Sequence, residues 1–279
     1  MFDQRIVLII LLLLFFVAFV VIFVRVGTTM LNDKSYDLVA KKSKCFLINM
    51  DKNKERLNLF MSRFYSSDLS EYMQIERFKA INGKELDIQG LVTEQAYKQI
   101  MQAENNGYRM RHYELTRGAV GCFMSHTTLY HKLLKDNSVD FYIIFEDDAK
   151  IPPKVMDVLV TYMKNAPPNW DMIVFGSIRQ VISAQNDMFN KIQSWWGVFG
   201  YAISKSGAKK FVDELAINPK IDMQIDSLMS MMCVEGKFDV YSTRKPFIGH
   251  NAEGMDSDIQ LPVKLKEGTD PFKYEGISL

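Results

Sequence analysis

The sequence predicts an α/β domain, a largely parallel sheet covered by helices on both faces, carried behind a transmembrane helix at the N-terminus. Three observations lead there. Short apolar runs at Cys45 to Met50 (CFLINM), Phe141 to Glu146 (FYIIFE) and Trp170 to Phe175 (WDMIVF) have the length and composition of strands buried on both faces. Segments of helical period follow them, and such alternation argues a sheet covered by helices on both sides. Ahead of these, Ile6 to Val24 is an unbroken run of 19 apolar residues between Arg5 and Arg25.

At about 1.5 Å per residue that run covers roughly 28 Å, which matches a bilayer's hydrocarbon core. It exceeds the apolar stretch of a signal peptide, and Arg25-Val26-Gly27 lacks a small-residue cleavage site, so an uncleaved anchor is expected after a tail at 1–5. Arg5 is the only Lys or Arg before the run, whereas Arg25, Lys34, Lys41, Lys42 and Lys44 follow it. Positive-inside counting therefore favours a cytosolic domain. Residues 25–44 are polar and weakly patterned and read as a short stem. The domain is expected at 45–262, followed by an exposed tail at 263–279.

Within the domain, the strand Cys45 to Met50 leads to a helix with Leu57, Phe60, Met61 and Phe64 on one face. A strand at Ile75 to Ile81 ends on the turn signal Asn82-Gly83. Thr116 is placed to cap a helix whose apolar side carries Val120, Phe123, Met124, Tyr130, Leu133 and Leu134, with Asn137-Ser138 ending it before Phe141 to Glu146. Pro152-Pro153 are expected to start a helix through Val155, Val158, Leu159 and Tyr162, ahead of the strand Trp170 to Phe175. Helices at Ser206 to Leu215 and over Ile225, Leu228, Met229 and Met232 complete the pattern.

The 279 residues carry 34 Lys+Arg against 33 Asp+Glu, and a net charge of +1 gives no electrostatic reason to expect nucleic acid as a partner. Cys45, Cys122 and Cys233 are too scattered for a disulfide framework or a paired-cysteine zinc site.

The chemistry concentrates at Glu146, Asp147 and Asp148, where a buried strand runs into three carboxylates. Ligands of open α/β sheets bind beyond the carboxyl ends of strands. Side chains alternate along a strand, so Glu146 and Asp148 are expected to project together as a hard oxygen site for Mn²⁺ or Mg²⁺. The bland alternative is a solvated loop start or a helix cap.

Several short motifs, in order, resemble glycosyltransferase family 25. Ile48, Asn49, Met50 and Asp51 with Arg56-Leu57 are similar to its opening strand and helix, and Arg77, Phe78, Ala80 and Gly83 to its following turn. Leu115, Thr116, Gly118, Gly121, Cys122, Ser125 and His126 resemble its Gly-Cys-x-x-Ser-His segment, and Glu146 to Ala149 its acidic box. Gly197, Tyr201, Ile203 and Ser204 resemble a later strand and helix start.

The resemblance implies a glycosyltransferase A-type fold, with a Rossmann-like mixed, mostly parallel sheet flanked by helices, together with a UDP-linked sugar donor (galactose or glucose), a divalent metal, inversion at the anomeric carbon, a glycan or protein hydroxyl as acceptor, and a lumenal catalytic domain, against the charge count above. It makes Asp148 the first choice of metal ligand, joined by Glu146 and by His250 in a C-terminal polar loop, with Glu146 or Asp147 on the ribose or a metal-bound water. Asn49, Asp51 and Arg56 are expected near the nucleotide, and Ser125 and His126 near donor hydroxyls or phosphate. Ser257 and Asp258 are further candidates for donor phosphate or acceptor.

A general base is expected at Asp226, with Asp222 four residues earlier on the same helical face as the alternative. Trp195, Trp196 and Tyr201 are candidates for a sugar-stacking wall or simple core packing. His112 and His131 read as surface residues, and Cys122 as packing. Competing readings are a metal-dependent phosphohydrolase, which would need a second ligand cluster, and a non-catalytic lectin-like relative, which would be expected to lack these carboxylates.

Overall fold

The computed structural model describes residues 13–22, 35–110, 114–250, 261, 262 and 264. A six-stranded sheet in the order β2-β1-β3-β6-β5-β7 forms the centre. Its strands are β1 (Ser43–Asn49), β2 (Ile75–Lys79), β3 (Phe141–Glu146), β5 (Met172–Gln185), β6 (Phe189–Ser204) and β7 (Val240–Thr243); β4 (Ala149–Lys150) and β8 (Gly249–His250) pair as a small second sheet. The pairings run five strands one way and β6 the other, so the sheet is mixed and mostly parallel, as expected.

Alternation along β1 and β3 builds two cores. Phe46 and Ile48 with Tyr142 and Ile144 face one layer. Cys45 and Leu47 with Phe141, Ile143 and Phe145 face the other. Both faces of these strands are buried, which is why they read as continuous apolar runs. The first layer is covered by α5 (Arg117–Lys135), α7 (Lys205–Ile217) and α8 (Ile225–Val234), the second by α2 (Lys54–Tyr65) and α6 (Met156–Lys164). Between them in sequence lie α3 (Leu69–Tyr72) and α4 (Glu94–Asn106).

Four expectations need correction. Residues 35–42, assigned to the stem, form a helix, α1, packed on the domain: Val39 is buried, Tyr36 meets Tyr72 edge-on and hydrogen-bonds Asp157, and Lys164 Nζ donates to Ser35 Oγ at 2.6 Å. Strand and helix do not alternate throughout, because β5 returns directly as β6 through Asn186 to Met188. There Asn186 Oδ1 accepts from the Met188 and Phe189 amides at 2.9 and 2.7 Å. Helix α6 starts at Met156 and not at the prolines, since Asp68 Oδ1 accepts from the Val155 and Met156 amides at 2.8 and 3.0 Å and caps it from another element. Residue 264, assigned to the exposed tail, does not hang free: Lys264 N donates to Arg109 O at 3.0 Å, beside the bond from Arg109 N to Pro262 O at 2.8 Å.

Of Ile6 to Val24, residues 13–22 are described; they are helical, with Leu13, Phe15, Phe16 and Phe19 exposed. Among the described residues no helix is long and apolar enough to cross a membrane. The rest of the expected anchor lies outside them.

The element that positions the site is α5. Thr116 Oγ1 accepts from Ala119 N at 3.0 Å, the expected cap. One turn on, an added Cβ at Gly121 would lie 2.4 Å from Ile81 O and 2.6 Å from Gly83 N, and one at Gly83 would lie 1.7 Å from Arg117 O. The helix and the turn after β2 thus touch backbone to backbone. Ser125 Oγ closes the joint, accepting from Ile81 N at 2.8 Å and donating to Gly121 O at 2.7 Å.

Gly121→Ala is expected to destabilise the fold by about 1 to 3 kcal/mol, the range for overpacking where backbone has to move. Gly90→Ala, with open space around the new carbon, should stay within about 0.5 kcal/mol. Urea denaturation of the two variants checks this; equal midpoints would show that the joint has room to spare.

Candidate active site

The ends of β1 and β3 open into a cleft of about 570 Å³, whose walls include Asn49, Arg56, Glu146, Asp148, Phe199 and His250. A cavity of this size holds a ligand of nucleotide dimensions. A smaller cavity of about 110 Å³ lies against it and contains Asp226, Trp195 and Tyr201. The two share Cys122, His126, Glu146, Gly197 and Val198 as wall.

The strand ends at Glu146, and Asp147-Asp148 form a turn, so strict alternation stops there. Each carboxylate consequently finds a different partner. Glu146 Oε1 meets His126 Nε2 at 3.2 Å. Burial pushes the Glu146 carboxyl above its ordinary range, and His126 pulls it back. Asp147 is nearly buried between Arg56, whose Nη2 contacts Oδ1, and Asn49, whose Nδ2 donates to Oδ2 at 2.7 Å. Burial raises this carboxyl too, while Arg56 and Asn49 oppose the rise. Asp148 Oδ2 sits 3.3 Å from His250 Nε2 and 3.4 Å from Arg56 Nη2, and its Oδ1 is buried without a hydrogen-bond partner.

His250 arrives beside Asp148 because β8 pairs antiparallel with β4, setting Ala149 opposite His250. Its ring stacks on Phe199 at 5.1 Å between centroids. An orphaned carboxylate oxygen next to an imidazole suits a divalent cation of the Mn²⁺ or Mg²⁺ kind. The expected third member of this set does not join it, since Glu146 has turned to His126 on α5. Instead, Cys122, His126 and Glu146 bring one ligand atom each to within 4.8 Å of one another, a trio able to hold a metal ion.

Asn49 and Arg56 line the cleft, yet their polar atoms are largely spent on Asp147: Asn49 Oδ1 also accepts from Arg77 Nε at 2.9 Å, while Arg56 Nε is buried without a partner. Asp51 lies outside the cleft wall, held by Arg77 Nη2 and Lys79 Nζ, each at 2.7 Å, which lower its carboxyl below the ordinary value. Ser125 borders the cleft with its hydroxyl committed to backbone on both sides. The hydroxyl expected near donor hydroxyls or phosphate thus holds the turn after β2 to α5.

The paired-aspartate expectation also changes. Helix α8 begins at Ile225, so Asp222 precedes it, is exposed, and borders neither cavity. Asp226 stands in the first turn inside the small cavity, with Oδ2 accepting from Gly197 N at 3.2 Å and Oδ1 from Ser227 N at 2.8 Å. Burial raises its carboxyl despite both bonds. Gly197 makes this possible with a φ of +62°, a conformation that L side chains avoid. Tyr201 is core-buried and bonded to His126 Nδ1 at 2.6 Å and Tyr130 Oη at 2.8 Å, and Trp195 is buried, so neither forms an open stacking face. His131 is exposed as expected; His112, Ser257 and Asp258 lie outside the described residues.

Sequence reasoning marked Arg77 only as part of a turn motif and not for its grip on Asn49 and Asp51, and it did not point to Lys52 and Lys84, which bring positive charge to the cleft wall. It also read Cys122 as packing, although the spacing Cys122-x-x-x-His126 on a helix places both side chains on one face.

Residues 42–229 match the model of glycosyltransferase family 25 (LPS biosynthesis protein), more than half of the chain, and the chain belongs to that family. It is 26% identical over 178 residues to procollagen galactosyltransferase 2 of Mus musculus, covering 60% of this chain and 27% of that protein. It is 26% identical over 182 residues to a glycosyltransferase 25 family member of Aedes aegypti, covering 62% and 28%. The match thus spans little more than a quarter of these relatives' length. A solved structure of a mutant Drosophila β1,4-galactosyltransferase 7 in complex with manganese, UDP-Gal and xylobiose aligns over 75% of this chain and 70% of that one at 8% identity and a TM-score of 0.36, a likeness too distant to carry any inference.

Arg56→Met is expected to strand the buried Asp147 carboxylate and destabilise the protein by about 3 kcal/mol, the usual cost of removing one partner of a buried pair. Asp147→Asn paired with Arg56→Met should recover part of that loss. Urea midpoints at neutral pH give the comparison, and a double variant no more stable than Arg56→Met would show that the two groups are not coupled.

Proposed function

We propose that this member of family 25 is a metal-dependent hexosyltransferase of A-type fold that moves galactose or glucose from a UDP-sugar to a glycan or protein hydroxyl with inversion. The observation that carries the reading is the pairing of Asp148 and His250 at the end of β3, with one Asp148 oxygen buried and unpartnered, on the wall of a nucleotide-sized cleft. Asp148 and His250 are the residues that would hold Mn²⁺ or Mg²⁺. Bound there, the cation supplies the charge against which a nucleoside diphosphate departs. Lys52 and Lys84 add positive charge along the same wall. Asn49 and Arg56 act on the nucleotide side by holding Asp147, and hence the turn that carries Asp148, in place.

The base is assigned to Asp226. Its cavity adjoins the cleft, so a carboxylate there faces the donor from another side than Asp148 does, as direct displacement requires. The amides of Gly197 and Ser227 orient the carboxylate. Its raised pKa keeps it basic enough to take a proton from an acceptor hydroxyl. The apolar run Ile6 to Val24 is assigned as a membrane anchor, supported by its length and by the exposed apolar side chains of residues 13–22.

The test is UDP release and sugar transfer by the full chain in detergent with UDP-Gal, UDP-Glc and UDP-GlcNAc, with and without Mn²⁺. Asp148→Asn is expected to lower turnover about a hundredfold or more. Near wild-type turnover with unchanged Mn²⁺ dependence would remove Asp148 from the site.

Asp226→Asn should lower transfer by roughly a hundredfold to ten-thousandfold while calorimetry shows UDP still binding. Because the active form of the base is the carboxylate and burial raises its pKa, wild-type transfer should rise with pH along an acid limb lying above the ordinary aspartate value of about 4. A limb at or below that value, or a fully active Asp226→Asn, would place the base elsewhere.

A further inference from the structure

The wall between the cleft and the Asp226 cavity has a composition that transfer chemistry does not use. Cys122 and His126, four apart on α5, face Glu146 at the end of β3, and the ligand atoms of all three lie within 4.8 Å of one another. His126 Nε2 and Glu146 Oε1 are already 3.2 Å apart. Adjacent ligands on a tetrahedral zinc are separated by about 3.3 to 3.7 Å, given Zn–N and Zn–S bonds of about 2.0 and 2.3 Å, so small side-chain movements close the set.

A second observation points the same way. The far nitrogen of His126, Nδ1, is held 2.6 Å from Tyr201 Oη, which in turn lies 2.8 Å from Tyr130 Oη. Imidazoles that ligate metals characteristically have the other ring nitrogen fixed by such a partner. With the proton on Nδ1 and donated to Tyr201, which passes its own hydrogen to Tyr130, the Nε2 lone pair faces Cys122 and Glu146. The surroundings are negative, since the carboxylates of Glu146 and Asp148 line the cleft beside Cys122 and Asp226 lines the adjoining cavity with it. That same field favours a divalent cation.

We propose that Cys122 Sγ, His126 Nε2 and a Glu146 carboxylate oxygen form a second cation site, selective for a borderline-soft divalent ion such as Zn²⁺, and that an ion standing there between the donor cleft and Asp226 blocks transfer. Thiolate and imidazole distinguish it from the harder set at Asp148 and His250. Binding releases the thiol proton to solvent, and three protein ligands leave one position open toward the cavities. An ion there stands in the wall shared by the two cavities and separates the base from the donor. The binding site stands independently of the hexosyltransfer reading; the block on transfer rests on it.

Cobalt(II) titration of the metal-free full chain in detergent reads the site directly, through the thiolate-to-cobalt charge-transfer absorption. A single equivalent should develop that band, and Zn²⁺ should abolish it by displacement. Cys122→Ser should lose the band and bind at least about tenfold more weakly, Asp148→Asn should keep it, and Tyr201→Phe should keep it with affinity reduced about 10- to 100-fold. No thiolate band in the wild type, or wild-type affinity in Cys122→Ser, overturns the proposal. Circular dichroism establishes that Cys122→Ser folds; if it does not, the isosteric Glu146→Gln decides, an unchanged cobalt affinity counting against the site. In the transfer assay, Zn²⁺ should inhibit the Mn²⁺-supported wild-type reaction and lose that effect in Cys122→Ser. Absence of any transfer would defeat the hexosyltransfer reading and leave the cobalt spectrum to decide the site.

Discussion

The backbone contact between α5 and the turn after β2 is the constraint on which the site depends. Gly121 and Gly83 approach too closely for any side chain, and Ser125 stitches the same joint with a donated and an accepted hydrogen bond. Such a contact fixes a helix far more sharply than apolar packing, which tolerates side-chain rearrangement. It sets one wall of the cleft and, through the helical repeat, aims Cys122 and His126 at the end of β3. The segment Thr116 to His126 is therefore one device: a cap, a close approach, a stitch, and two side chains delivered to the cleft wall.

Three consecutive carboxylates at a strand end repel one another, and their coexistence needs explanation. The structure separates them by changing backbone direction after Glu146. Glu146 turns to the α5 layer and its histidine. Asp147 turns under β1 and is neutralised by Arg56 with help from Asn49. Asp148 stays at the cleft, its Oδ2 flanked by His250 and Arg56 at 3.3 and 3.4 Å. All three line the cleft, and Asp148 is the one among them with a buried carboxylate oxygen that has no hydrogen-bond partner.

Much of this was legible in the sequence. The apolar runs at Cys45 and Phe141 identified β1 and β3 because burial on both faces leaves no polar position to blur them. Thr116 announced the start of α5, and the acidic triplet marked the end of β3, where the cleft opens. What was not legible depended on partners distant in sequence. The β5–β6 arm carries exposed Ile178 and Ile182 among polar residues, so its outer half has neither strict alternation nor a continuous apolar run. Asp222 and Asp226 share a helical spacing, but Gln224 is the residue before α8, so spacing alone put Asp222 on a helix that had not yet begun. The cap of α6 comes from Asp68, 87 residues before Val155, and no local signal carries it. Helix α1 was hidden by its lysines, which face solvent while Val39 alone is buried deeply.

The β5–β6 arm also ties the carboxylate of Asp226 to the sheet. Residue 197 adopts a positive φ, which turns its amide toward Asp226, and an added Cβ there would come within 2.5 Å of Ile178 on the paired strand. Glycine thus serves two requirements at one position: the left-handed backbone and the passage of Ile178 across it. From the other end of the same strand, Tyr201 braces His126, and β3 pairs with β6 so that Ile144 lies opposite Tyr201. A single antiparallel strand therefore holds Asp226, His126 and, through β3, the acidic turn in one rigid frame.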